Sequence, residues 1–325
     1  MAAIRWSVAV GIILLGAVMF ITGVNIDTTK LKALLNRKTL WGVAAAYCGQ
    51  AIVNPLSGFL LTAAFDLDTK TRIGAIVIAS APGGGLSNLF TFLSYGNLEL
   101  SVVATTLSTV TAFATMPVLL KIYTEVVWDA DSLDLPYAQI IVGLLVITLP
   151  MVLGIAFKIK CPTQAEKVSK YGILSAGFMV VFLVISTVMD PEKLEIFGSI
   201  QGKTIGCGII FCILGFIFGY LISVAFRLNE ADRRAICFEI CAQNSPLAIS
   251  IIDMTYGEDA ADYIGFVVVY ALVSVRSSIS SLEFCAELSL PPSLPLSAWL
   301  MSGLSLTSVI LNQLGFRLSS QVMRL

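Results

Sequence analysis

Long apolar stretches without a charged side chain recur along the chain, at residues 6–26, 39–65, 73–98, 100–120, 135–157, 171–189 and 204–226. An eighth stretch, 235–257, is apolar apart from Glu239 and Asp253, and a ninth opens at Tyr263 and meets Arg276 early. A helix needs roughly 20 apolar residues to cross hydrocarbon, which each of the first eight approaches or exceeds. Hydrocarbon offers no partner to backbone N–H and C=O groups, so uninterrupted apolar runs of this length span as helices. The pattern predicts an all-α polytopic membrane protein with about nine transmembrane helices. The first run, with Arg5 ahead of it, is read as a retained anchor because no clear small-residue cleavage site follows.

Composition agrees. Of 325 residues, 57% are hydrophobic and 13% charged, against about 25% charged in an ordinary soluble domain. Net charge is −1, so nothing marks a nucleic-acid partner. There is no histidine, which removes imidazole acid–base catalysis, Ser-His triads and His-ligated metals. The cysteines, at 48, 161, 207, 212, 237, 241 and 285, lie mostly inside apolar runs without metal-knuckle spacing, and are read as small buried hydrophobes.

Charge placement orients the spans. The connections after spans 1, 5 and 7 carry Lys30, Lys32, Arg37, Lys38, Lys158, Lys160, Lys167, Lys170, Arg227, Arg233 and Arg234. The connections after spans 2, 4, 6 and 8 are acidic instead, with Asp129, Asp131, Asp134, Glu258 and Asp259 among them. The positive-inside rule then puts the first group in the cytoplasm and the amino terminus outside.

Two spans are interrupted. Span 3 contains Ala81-Pro82-Gly83-Gly84-Gly85-Leu86-Ser87-Asn88, where proline removes a donor and the glycines favour non-helical backbone. Broken backbone in a membrane persists only where protein or a watery cavity satisfies it. A packing kink is the plain alternative, with polar Ser87 and Asn88 beside the break arguing for more. Span 8 contains Glu239-Ile240-Cys241-Ala242-Gln243-Asn244-Ser245-Pro246. Pro246 leaves the carbonyl of Ala242 without its helical donor, and Glu239 and Gln243 share one helical face. An acid at mid-membrane costs about 2.5–3.5 kcal/mol, so it needs a partner. Carbonyls plus a carboxylate form a hard oxygen cage suited to an alkali cation; the alternative is a neutral Glu239 hydrogen-bonded inside the bundle. Span 4 adds Ser101 and Thr105 four residues apart, and span 2 adds Gln50 and Pro55.

Spans 3 and 8 run in opposite directions, and paired interruptions in inverted halves point to a transport site at the midplane. Spans 2, 3 and 4 recur as 7, 8 and 9, with span 1 matching 6 and span 5 unmatched.

Met19-Phe20 with Gly23, Pro82-Gly83-Gly84 followed by Ser87-Asn88, and Glu239 with Gln243-Asn244 resemble the sodium/bile-acid cotransporter family. Leu100-Ser101 through Thr105, Ser108-Thr109, Met116-Pro117 and Pro136-Tyr137 look most like its animal branch. The resemblance covers roughly residues 8–275. It implies two crossing discontinuous helices within inverted repeats, a core (37–122 and 203–275) and a panel (1–36 and 135–190), and an atypical segment at 276–325. It further implies two sodium ions as coupling ions. The first would meet Ser87, Asn88, Ser101, Thr105 and Glu239. The second would meet Gln50, Glu239, Gln243 and the carbonyls of Ile240 and Ala242. An organic anion of the bile-salt or steroid-sulfate type would sit near Gly84, Gly85 and Asn244. The implied activity is sodium-driven uptake by alternating access across the plasma membrane, not an enzymatic reaction.

The chain departs from the family with Cys241 where relatives often have glycine and Ala242 where they have methionine. After Val275, Arg276-Ser277-Ser278 and later Pro291-Pro292 predict that the last core helix gives way, leaving the second repeat incomplete. That expectation supports a competing reading, a transport-inactive paralogue serving as a membrane receptor or scaffold. A proton could replace sodium at a lone carboxylate. An intramembrane hydrolase using Glu239 or Asp253 is disfavoured, because the two acids flank the Pro246 break.

Overall fold

The computed structural model describes residues 6–25, 37–123, 137–171 and 200–287. Among these the chain is helical and has no strand. In chain order the helices are α1 (Trp6–Asn25), α2 (Arg37–Cys48), α3 (Asn54–Ala64), α4 (Thr69–Ala79), α5 (Gly85–Leu93), α6 (Leu98–Lys121), α7 (Tyr137–Lys160), α8 (Pro162–Ser169), α9 (Gly202–Ala225), α10 (Glu230–Cys241), α11 (Ser245–Tyr256) and α12 (Ala260–Glu287). Four of them, α6, α7, α9 and α12, are by length and composition long and apolar enough to cross a membrane. The sixth expected span, 171–189, lies almost wholly outside the described residues.

Both expected interruptions are present. α4 and α5 have 11 and 9 residues, or about 16 and 14 Å at 1.5 Å per residue. Neither half alone matches a hydrocarbon core of about 30 Å, but the two in succession do. α10 and α11 are the second such pair, with 12 residues each. Pro246 falls in the first turn of α11, where a missing N–H leaves no gap in the ladder.

Four backbone positions with positive φ reveal the internal repeat. Asp66 and Arg227 (φ 46° and 55°) follow the helices that precede α4 and α10. Tyr95 and Gly257 (φ 56° and 57°) follow α5 and α11. The first pair closes identical turns: Leu67 N–H donates to Thr62 O, and Leu228 N–H to Ser223 O, at 3.1 and 3.0 Å. These are six-to-one bonds that stop a helix through a left-handed residue. The next helix then starts on a side-chain cap, Asp68 accepting from Thr71 N–H at 3.0 Å and Asn229 from Asp232 N–H at 2.9 Å.

Two elements differ from expectation. Span 2 is not a plain helix: a π turn at Gly49–Val53, closed by Asn54 N–H to Gly49 O, separates α2 from α3. Pro55 is the physical cause, because it cannot donate to Ala51 and a wider turn lets the ladder resume. The expected end after Val275 is also overturned. α12 continues as one helix of 28 residues to Glu287, with Ser274 and Ser278 buried. No proline or glycine lies between 276 and 287, and Arg and Ser at a helix end do not terminate it.

α1 packs along α7 at a contact made of backbone. A Cβ on Gly23 would lie 2.0 Å from Met151 O, and one on Gly154 would lie 2.1 Å from Phe20 O. Small residues let membrane helices approach in this way. The main buried cluster joins Ile73, Ile76 and Ile78 of α4 to Cys207 and Phe211 of α9 and Phe266 and Tyr270 of α12, so it backs both breaks.

Candidate functional site

The breaks meet. Gly83 and Gln243 form an isolated antiparallel bridge: Gly84 N–H donates to Ala242 O at 3.0 Å, and Asn244 N–H donates to Pro82 O at 2.9 Å. Backbone groups that lose helical partners in one half find them in the other, as a dry interior requires. The Ala242 carbonyl, left unpaired by the sequence argument, is therefore already engaged by Gly84. The half-helices α5 and α11 begin beside this bridge, at Gly85 and Ser245.

Glu239, in the last turn before the second break, is fully buried. Ser87 Oγ of α5 donates to its Oε2 at 2.7 Å, and Ser101 Oγ of α6 to the same oxygen at 3.1 Å. Thr105 Oγ1 lies 2.8 and 3.0 Å from the two carboxylate oxygens. Gln50 Nε2, from the π turn, donates to Oε1 at 3.1 Å and to the Glu239 backbone carbonyl at 3.0 Å. Asn88 Oδ1 joins the group, 2.8 Å from Ser101 Oγ and 3.4 Å from Thr105 Oγ1. The expected first set, Ser87, Asn88, Ser101, Thr105 and Glu239, is thus brought together.

This cluster is short of hydrogen. Each hydroxyl carries one proton, yet Ser87 Oγ faces both Glu239 Oε2 and Gly84 O, the latter at 2.7 Å. Ser101 faces Glu239 and Asn88, and Thr105 faces both carboxylate oxygens. The partners of Glu239 carry no charge, so the carboxylate has no counter-ion among them. Surplus oxygen lone pairs around a buried acid are the chemistry that a small hard cation, or a proton on the acid, resolves.

The residues of the expected second set also adjoin one another, but their acceptors are occupied. Ile240 O accepts from Gln243 Nε2 and from Asn54 Nδ2, both at 2.8 Å. Gln50 Oε1 and Gln243 Oε1 are buried and find no hydrogen-bond partner. Turning the two side-chain amides would exchange NH₂ groups for oxygens at this spot. The donor set fits a cation after that turn. Asn54 was not among the expected residues, although its position four after Gln50 and before Pro55 puts it on the same face.

Gly84, Gly85 and Asn244 all lie at the crossing, but Gly84 and Asn244 are buried and only Gly85 is partly open. Asn244 Oδ1 caps α11, accepting from Leu247 N–H at 3.1 Å. At the start of α11 the N–H groups are taken, Ser245 donating to Gln243 O at 2.8 Å and Ala248 to Asn244 O at 3.1 Å, while Pro246 has none; both half-helices still bring positive dipole ends to the crossing.

The paired breaks, the crossing and the buried acid are accompanied by a direct match in sequence. The model of the Sodium Bile acid symporter family matches residues 12–197. The chain belongs to this family. Its relatives include the hepatic sodium/bile acid cotransporter of Rattus norvegicus, 31% identical over 250 residues, which cover 75% of this chain and 67% of the relative. The sodium-dependent organic anion transporter of the same species is 30% identical, covering 81% of this chain and 70% of the relative. The ileal sodium/bile acid cotransporter of Homo sapiens is 28% identical, covering 84% and 77%. Sodium bile acid symporters are transporters rather than enzymes, and membership makes this chain a multi-pass integral membrane protein. The family match stops at 197, ahead of Glu239 and the second break; the alignments with individual relatives are longer.

Proposed function

We propose that this protein couples sodium entry to the uptake of an organic anion of the bile-salt or steroid-sulfate type. The hydrogen-poor oxygen cluster around Glu239 carries the reading, and the relatives, named as sodium/bile acid cotransporters and a sodium-dependent organic anion transporter, supply the cation and the anion class. One sodium ion is held by Ser87, Asn88, Ser101, Thr105 and Glu239. A second is held by Gln50, Glu239, Gln243 and the carbonyls of Ile240 and Ala242, once the Gln50 and Gln243 amides have turned their oxygens inward.

Sodium neutralises the acid and joins residues of both breaks, which fixes the half-helix amino termini at the crossing. The anion then binds against Gly85, beside Gly84 and Asn244, where the positive dipole ends of the two half-helices favour it. The core, 37–122 with 203–275, rocks against the panel, 1–36 with 135–190, to expose the site inward. Two sodium ions with one monovalent anion move one positive charge, which gains about 2.3 kcal/mol per 100 mV. The amino terminus lies outside, and the plasma membrane is the site of action.

The test is uptake of a radiolabelled bile salt and a steroid sulfate with sodium replaced by choline. Uptake that falls to background without sodium supports the reading; uptake indifferent to the replacement sinks it. A pH jump applied in place of a sodium gradient separates proton coupling. The receptor reading rested on an expected break after Val275, and with α12 continuous it loses that support.

A further inference from the structure

Tyr270 of α12 reaches the second break from outside the cation cluster. Its ring is buried and packs on Phe211, with centroids 5.3 Å apart. Its hydroxyl donates to the carbonyl of Cys241 and accepts from the N–H of Gln243 at 3.2 Å. Both groups are orphans of the interruption, a last-turn carbonyl of α10 and a donor just beyond it. One hydroxyl serves the two.

The first repeat has a counterpart. Gly83 N–H points to Ser108 Oγ of α6 at 3.4 Å, and that hydroxyl donates to Thr105 O at 3.0 Å. Each bridge residue therefore hands its N–H to a hydroxyl on the next helix of its own repeat, 25 residues on for Gly83 and 27 for Gln243.

A trans peptide is planar, so the direction of its N–H fixes that of the carbonyl joined to it. Anchoring the N–H of Gln243 aims the carbonyl of Ala242. Anchoring the N–H of Gly83 aims the carbonyl of Pro82, which accepts from Asn244. We propose that Tyr270 is a positioning residue of the cation site, setting sodium affinity by fixing the Ala242–Gln243 peptide, with Ser108 in the same role in the first repeat. This rests on the sodium-coupled reading above. Phenylalanine fills the same space without the hydroxyl, so Tyr270→Phe isolates the effect.

The experiment measures the melting temperature of the purified full chain in sodium-free potassium buffer, then across a sodium titration, beside bile-salt uptake in proteoliposomes. Tyr270→Phe leaves the Cys241 carbonyl and the Gln243 N–H without this partner, so it is expected to melt lower than wild type without sodium and yet to keep its maximal uptake rate. Its half-saturating sodium concentration rises about tenfold, the factor carried by one hydrogen bond of ordinary net strength. Ser108→Ala moves the midpoint the same way, and Ser108→Thr restores it. A merely structural role predicts lower maximal uptake at an unchanged sodium midpoint, and that result overturns the assignment. Should Tyr270→Phe fail to fold, a Ser108→Ala midpoint equal to wild type overturns it as well. A wild type whose melting and uptake ignore sodium defeats the parent reading itself, so the two failures are distinct.

Discussion

Gly83 stands where any side chain would collide with Glu239: a Cβ built on it lies 2.1 Å from Oε1 of the acid and 2.7 Å from Gln50 Nε2. The break in the first discontinuous helix and the carboxylate in the second thus occupy one another's space. Gly83→Ala must push the acid off its hydroxyl donors, with a loss of several kcal/mol in the range of overpacked, unsatisfied sites. Gly84→Ala meets backbone atoms of Gln243, Asn244 and Ala242 at 3.1–3.3 Å, so the bridge itself must give by a few tenths of an ångström. Melting curves should show the first variant severely destabilised and the second less so. Equal effects would contradict the geometry.

The unpartnered oxygens of Gln50 and Gln243 yield a second prediction. Gln243→Leu removes one oxygen of the expected second cation set while leaving the donors of Ser87, Ser101 and Thr105 in place. Sodium activation of uptake should then lose steepness and shift to higher concentration. Thr105→Val strips a hydroxyl that touches both oxygens of Glu239 and should weaken sodium-induced thermal stabilisation more. A sodium response unchanged in both variants would exclude these residues as ligands.

Cutting the chain after Val275 tests the continuity of α12. The cut removes 12 residues of the described helix, about 18 Å of its length, together with fully buried Ser278. The truncated chain should lose yield and melt lower than wild type. Normal melting would mean that the last three turns contribute nothing.

Arg227 adopts φ 55°, a conformation that L residues other than glycine and asparagine disfavour by about 1–2 kcal/mol. Its side chain is exposed. Arg227→Gly should therefore raise thermal stability slightly, by about 1 kcal/mol or less after the added entropy of glycine in the unfolded chain. A lower melting temperature would show that Arg227 makes a contribution beyond its turn.

What the sequence disclosed and what it hid divide along physical lines. Helix breakers act locally, so Pro82-Gly83-Gly84 and Pro246 marked both interruptions, and the acid beside one of them marked the site. The partner of the Ala242 carbonyl is Gly84, far off in the chain, and no local rule pairs them. Tyr270 looks like one more aromatic residue in an apolar helix until its hydroxyl is found between Cys241 and Gln243. Asn54 is hidden in the sequence for a similar reason, since its target is a carbonyl of another repeat. The polar run after Val275 is misleading, because serine and arginine weaken an apolar pattern without ending a helix. One further local signal carries the repeat. Phe65-Asp66-Leu67-Asp68 and Phe226-Arg227-Leu228-Asn229 repeat the same turn and capping chemistry, and would have registered the two halves against each other.

The short bridge between Gly83 and Gln243 works as a rivet through crossed beams. Gly84 cannot leave Ala242, nor Asn244 leave Pro82, without baring peptide groups in a greasy interior. Tilting one beam alone is therefore resisted, and the pair must swing as a single lever. Any bending that accompanies the proposed transport has to lie away from that rivet, in the segments that tie it to the rest of the chain.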